Sequence, residues 1–205
     1  MRLDARCYMI AAILMALPAA AQAAPLKVVE VGAPAINCVF DTNCKITVYD
    51  SIGAIPMPGI SGAARLQSRS LVGAAGAPGA GKNVLQYRVD LTQAVGVGGT
   101  HCVSSFKLDF GAVAPLPYNN GAAPADVYVI TSGGLGTIGL LAAEKTGNVI
   151  TFLFAKPICA GTGASKGDTS YFFGLAAAGA PKAVTAQIQV TGGAFVNVPA
   201  RVPTH

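Results

Sequence analysis

The chain has 205 residues, of which 52% are hydrophobic and 11% charged, with 25 glycines, 13 prolines and a formal charge of +5. That apolar fraction excludes a disordered chain. The basic residues are scattered and nowhere form a run, which excludes a nucleic-acid-binding patch.

At the N-terminus Arg2 and Arg6 precede the unbroken apolar run Tyr8–Leu17, Pro18 ends it, and Ala21-Gln22-Ala23 supplies the small residues of a cleavage site. This pattern predicts a secretory signal peptide over residues 1–23, cleaved near Ala23 or Ala24. The run is about half the ~20 residues needed to span a bilayer, so no membrane span is expected after cleavage. Cys7 lies before the apolar run and is not an acylation site of the mature chain. What remains, 24–205, is 182 residues (205 less 23), enough for one domain with a real core. Without Arg2, Arg6 and Asp4 it carries 12 basic and 8 acidic side chains.

Leu26–Val31 reads as a first strand ended by Gly32-Ala33-Pro34, and Ile36–Phe40 and Lys45–Tyr49 as a pair joined by the Asp41-Thr42-Asn43 bend. Ser51–Gly62, with Pro56 and Pro58, reads as a loop or irregular edge. Ala63–Ser70 alternates, with Ala64 and Leu66 on one face and Arg65, Gln67 and Arg69 on the other. Gly73–Lys82 is a Gly/Ala-rich loop. Val84–Thr92 alternates most clearly: Leu85, Tyr87, Val89 and Leu91 oppose Gln86, Arg88, Asp90 and Thr92, the pattern of an antiparallel strand with one wet face. Cys102–Phe110 repeats it and places Cys102 in phase with Phe106 and Phe110, so a bridge from Cys102 is expected to point inward.

After a loop over Ala112–Ala125 comes the densest block, Asp126–Cys159, with the β-branched and aromatic runs Val127–Thr131 and Val149–Phe154. Leu140–Lys145 between them could make one helical turn. Ser170–Ala177, Val184–Thr191 and Phe195–Val198 complete nine or ten strands. Short strands with frequent turn signals and no amphipathic helix predict an all-β fold, an antiparallel β-sandwich of immunoglobulin-like or jelly-roll-like type, with a β-barrel as the alternative.

Four cysteines remain after cleavage, and an even count in an exported chain predicts disulfides. Cys38 and Cys44 flank a turn, so a local bridge is sterically natural, which leaves Cys102 for Cys159. No Cys-x-x-Cys pair exists, and a metal site is not expected.

Signals for chemistry are sparse. Gly76-Ala-Pro-Gly-Ala-Gly-Lys82 matches the start of a phosphate-binding loop, but Asn83 replaces the required Ser or Thr and a strand follows in place of a helix, so it reads as a flexible loop. Asn119-Asn120-Gly121 with Asp126 offers one carboxylate where a tight Ca²⁺ loop needs several. His101 and His205 are the only histidines, there is no Gly-x-Ser-x-Gly elbow, and Asp90 and Asp109 sit beside Arg88 and Lys107. Arg65, Arg69 and Arg88 share the outward phase and form a candidate ligand face for anionic polysaccharide or lipid headgroups.

The blocks Leu66-Gln-Ser-Arg-Ser70, Tyr87-Arg-Val-Asp-Leu-Thr92, Thr131-Ser-Gly-Gly-Leu-Gly-Thr137, Cys159-Ala-Gly161 and Tyr171-Phe-Phe-Gly-Leu-Ala176 together resemble those of exported proteobacterial proteins with no assigned function. The resemblance implies secretion and a β-sandwich and transfers no catalytic residue. The expectation is a secreted or periplasmic, non-catalytic structural or binding protein without cofactors. Extracellular polysaccharide or a cell-surface component is the expected partner. A binding module on the basic face and a hydrolase are the alternatives.

Overall fold

The structure is a computed structural model and describes residues 22–205 except Asn120 and Ala122. The signal-peptide expectation falls on residues outside that range, apart from Gln22 and Ala23. Among the described residues twelve strands and one helix follow in order: β1 (Ala24–Pro25), β2 (Val28–Gly32), α1 (Ala33–Phe40), β3 (Tyr49–Ala54), β4 (Ile60–Val72), β5 (Asn83–Gly96), β6 (Cys102–Asp109), β7 (Val127–Ser132), β8 (Leu140–Thr146), β9 (Val149–Cys159), β10 (Phe173–Ala177), β11 (Pro181–Val190) and β12 (Phe195–Pro203). They form two six-stranded sheets, ordered β1-β8-β9-β6-β11-β12 and β2-β7-β10-β5-β4-β3. The sheets pack face to face as a sandwich, and the barrel alternative is set aside. Among the named strands every ladder is antiparallel except that of β2 with β7, which run parallel.

Alternation places the core. Leu85, Tyr87, Val89 and Leu91 of β5 meet Phe106 and Leu108 of β6 and Ile150, Phe152 and Phe154 of β9 between the sheets. Tyr87, Phe106, Phe152 and Phe173 gather at its middle, with Phe106 stacked on Phe152 at 5.8 Å and Phe152 tilted against Phe173 at 4.8 Å. Each such pair adds about 0.5–1.5 kcal/mol beyond the area it buries. The Tyr87 hydroxyl, fully enclosed, donates to the Arg201 carbonyl at 2.6 Å, which satisfies the one polar atom in this aromatic group.

A second apolar layer covers the outer face of the second sheet. Ile36, Val39 and Phe40 of α1, together with Leu116 and Tyr118 of the loop after β6, pack on Leu71, Val84, Tyr128, Ile130 and Ala176. This layer corrects two expectations. Ile36–Phe40 is helical, because Pro34 sits in the first turn and Ile36, Val39 and Phe40 share one helix face; five residues are too few for periodicity to separate helix from strand. Gln86 is enclosed, because the supposedly wet face of β5 is roofed at this end.

Three further elements differ from expectation. Leu140–Lys145 is strand β8, held between β1 and β9. Lys45–Val48 is irregular, and the strand begins only at Tyr49 as an edge of the second sheet, running through part of the stretch expected to be a loop. Cys102 and Cys159 are bridged as directly opposed partners of β6 and β9, and Cys38 is bridged to Cys44. A register shift between Val103 and Ser105 reverses the phase of β6, however: Val103 is buried, Ser104 exposed and Cys102 half-buried on the outward side. The pairing is as expected and the inward direction is not.

On one flank the sheet edges β3 and β12 approach closely, and a Cβ added at Gly53 would lie 2.4 Å from the Pro199 carbonyl oxygen. Pro199 has no N–H to extend the ladder, which blunts this edge of the first sheet.

Candidate functional site

The outer face of the second sheet is built from alternate residues of β3, β4 and β5. Register sets Asp50 opposite Arg69, Arg69 opposite Gln86, Gln67 opposite Arg88, and Arg65 opposite Asp90. Arg69 donates through Nε and Nη2 to the two carboxylate oxygens of Asp50, at 3.0 and 3.3 Å. Gln67 Nε2 donates to the same Asp50 at 2.9 Å while Gln67 Oε1 accepts from Arg88 Nε at 3.2 Å, and Arg88 Nη2 donates to Asp90 at 2.9 Å. The chain Arg69, Asp50, Gln67, Arg88, Asp90 is thus one network with two positive and two negative charges. Both guanidiniums also lie over the Phe172 ring, Arg69 at 4.4 Å and Arg88 at 5.3 Å from its centroid.

This network takes in two of the three arginines expected to form a ligand face. Arg69 and Arg88 are brought together and neutralised in place. Arg65 is exposed, makes no ion pair among the described residues, and borders an open trough of about 550 Å³ along the β3–β4 hairpin. Partial burial raises the Asp50 carboxyl, but hydrogen bonds from Arg69 and Gln67 and the charges of Arg69 and Arg88 outweigh it, so the group stays below the usual carboxylate range.

Beside the network, α1 and the segment leading to β3 stand off the sheet and leave a cleft of about 360 Å³. Its floor is Arg69, Gln86, Phe172 and Ile130; its walls include Asn37 of α1, Ile46, Val48 and the turn Gly133-Gly134-Leu135. Gln86 is 1% exposed. Its Nε2 donates to the Tyr128 hydroxyl at 2.8 Å, and its Oε1 has no partner among the described residues. Such an oxygen costs about 1–3 kcal/mol when left unmet. Ser68 Oγ is the other enclosed side-chain atom without a partner, and it belongs to the opposite phase of β4, facing the sandwich interior. Burial pushes the Tyr118 and Tyr128 hydroxyls well above their ordinary range, so both are neutral donors or acceptors at the back of this layer.

Elsewhere the chemistry-bearing residues serve the fold. Asp41 accepts from the backbone N–H of Asn43 and Lys45, Asp126 from that of Lys27, and Asp168 from that of Cys159. Asp90 takes the N–H and hydroxyl of Thr92 besides Arg88. His101 packs against Gly59 and faces the Val97 carbonyl at 3.2 Å, beside an apolar recess of about 310 Å³. His205 is held at 3.4 Å from Asp109 over Gly111. Gly76–Lys82 is a run of turns between β4 and β5. No cluster of three potential metal ligands occurs among the described residues; Asn120 of the Asn119-Asn120-Gly121 segment lies outside them.

Sequence reasoning did not single out Gln86, Phe172 or Asn37. A signal for the first two was present: Tyr171-Phe172-Phe173 and Val84-Leu85 are consecutive large apolar residues, which a strand shows when both its faces are covered. The cleft lies where that second cover stops.

No family model, curated protein or solved structure matches the chain.

Proposed function

We propose that the protein is exported and acts by binding, without catalysis, and that its ligand enters the cleft over Phe172. The observation that carries this reading is a preformed hollow on a rigid sheet with an enclosed, unmet amide in its floor. Concave sites of about 300–1,000 Å³ with apolar walls and a few convergent polar groups are the usual form of small-ligand sites. Two disulfides support an oxidising compartment, and no helix among the described residues is long and apolar enough to cross a membrane. The binding reading is favoured over hydrolysis because six carboxylates, those of Asp41, Asp50, Asp90, Asp109, Asp126 and Asp168, are fixed as acceptors in turns, strand ends and ion pairs.

Two measurements test it. Fractionation of producing cells with intact mass is expected to find a chain cleaved near Ala23 or Ala24, four hydrogens lighter than its reduced form, in the periplasm or the medium. A thermal-shift panel of neutral saccharides, uronates, lipid headgroups and short peptides is expected to yield a stabiliser whose effect disappears in Gln86→Leu. A reduced, uncleaved cytoplasmic chain, or no stabiliser in any class, would sink the reading.

A further inference from the structure

Resting on the binding reading above, we infer that the cleft receives a neutral, hydroxyl-bearing ring: one sugar unit of an uncharged saccharide. Three features of the site select that chemistry. The first is the polarity of its floor. With Gln86 Nε2 donating to Tyr128, the unmet atom is the acceptor Oε1. Turning the amide over lets Tyr128 donate to Oε1 and leaves Nε2 unmet instead. A hydroxyl group answers either arrangement, because it donates and accepts. A carboxylate or phosphate answers only one of them, and would meet Oε1 with repulsion in the other.

The second feature is charge. Arg69, the one cation lining the cleft among the described residues, gives two of its donors to Asp50, and Arg88 is bound to Asp90, so the network beside the cleft sums to zero. An anionic ligand would have to compete with Asp50 for Arg69, and Asp50 is held ionised by that same contact. The guanidinium still has donors left for a neutral oxygen.

The third feature is shape. About 360 Å³ suits one ring of substituents and no extended chain. Ile46, Val48 and Leu135 offer aliphatic surface to the C–H face of a sugar, while Asn37, Gln86 and Arg69 are planar polar groups suited to neighbouring hydroxyls. The Phe172 ring is 3% exposed beneath the arginines, so it supports these groups and is not itself the stacking platform. The absence of tryptophan from the chain therefore does not weigh against a sugar here.

The test is a titration of the ¹⁵N-labelled mature protein with the methyl glycosides of glucose, galactose, mannose and N-acetylglucosamine, with glucuronate and galacturonate, and with a trialanine peptide. At least one neutral glycoside is expected to shift the Gln86 and Asn37 side-chain amides and the Leu135 backbone amide saturably, and the matching uronate to bind at least about tenfold more weakly. Gln86→Leu and, separately, Asn37→Ala should each weaken binding about tenfold while leaving distant resonances in place; the second variant keeps the test open if the first folds poorly. Shifts produced by a uronate or the peptide in place of neutral glycosides would overturn the sugar assignment and leave the binding reading standing. No shift at these amides with any neutral glycoside at about 50 mM, far above a millimolar Kd, would overturn it as well. If the thermal-shift panel is also empty, both fall together.

Discussion

Arg69 and Gln86 face each other across β4 and β5 and stand in opposite conditions: the arginine's charge is met by Asp50, while the glutamine, more deeply enclosed, keeps one amide end unanswered. Charge is therefore settled at this site before any ligand arrives, and hydrogen bonding is not.

That asymmetry can be measured without a ligand. Gln86→Leu strips the Tyr128 hydroxyl of its partner inside the second apolar layer and is expected to cost about 1–2 kcal/mol. Tyr128→Phe in the same chain should return most of it, since replacing both members of a buried polar pair by apolar groups is nearly neutral. Urea unfolding of the two single variants and the double variant supplies the cycle. Equal losses that simply add would show that the Gln86–Tyr128 contact is not a working hydrogen bond.

The two bridges should differ in weight. Chain entropy assigns about 4 kcal/mol to the Cys102–Cys159 bridge, with its separation of 57, and about 2 kcal/mol to Cys38–Cys44, with its separation of 6. Paired Cys→Ala variants should follow that order in denaturant midpoint. Because the long bridge lies half-buried on the outward side of β6, its removal opens no cavity between the sheets, and a loss well above 5 kcal/mol would contradict that position.

Stability should fall on the alkaline side. Burial raises the pKa of Tyr87 and likewise of Tyr118 and Tyr128. Unfolded tyrosine ionises near pH 10. With folded values above the unfolded one, their contribution is complete below about pH 10 and is lost as pH rises towards the folded pKa. Denaturant midpoints between about pH 9 and pH 12 should decline, and Tyr87→Phe should flatten the decline at the cost of the Arg201 hydrogen bond. Asp50 acts in the opposite sense: its lowered pKa contributes above about pH 4 and is lost as pH falls. It is 41% exposed, so solvent screening keeps Asp50→Asn below about 1 kcal/mol.

Gly53→Ala should destabilise by about 1–3 kcal/mol, since its Cβ would press on the Pro199 backbone and part the β3 and β12 edges. Ala54→Gly, one residue on, removes an exposed methyl and should cost less. Thermal unfolding of both variants decides it, and equal effects would mean the edge approach is slack.

Most of the sandwich was legible because alternation over Leu85–Leu91, Phe106–Leu108 and Ala186–Val190 is a direct record of a sheet buried on one face. The disulfide partners were legible from count and spacing. What was hidden depends on residues distant in sequence. Ile36–Phe40 has no period long enough to declare a helix, and Gln86 looks solvent-facing until α1 and the loop carrying Tyr118 are laid over it. The bulge at Val103–Ser105 leaves no mark in the alternation, so Cys102 was assigned to the wrong face. Arg69 and Arg88 could be placed on one face by phase, but Asp50, which lies in a stretch of weak signal, neutralises the first of them. The cleft is a product of these long-range arrangements.

The ladder pattern has a kinetic consequence. β2 pairs with β7 about a hundred residues on, Tyr87 of β5 with Phe173 of β10, and Phe106 of β6 with Ile188 of β11. Neither sheet can be assembled from a nascent fragment, because the first awaits β12 and the second awaits β10. Non-local pairing of this kind makes barriers high and folding slow, on the order of milliseconds to seconds or longer for β-sandwiches. A chain that completes its sheets late stays threadable while it is being made, which is the condition that the export proposed above would impose.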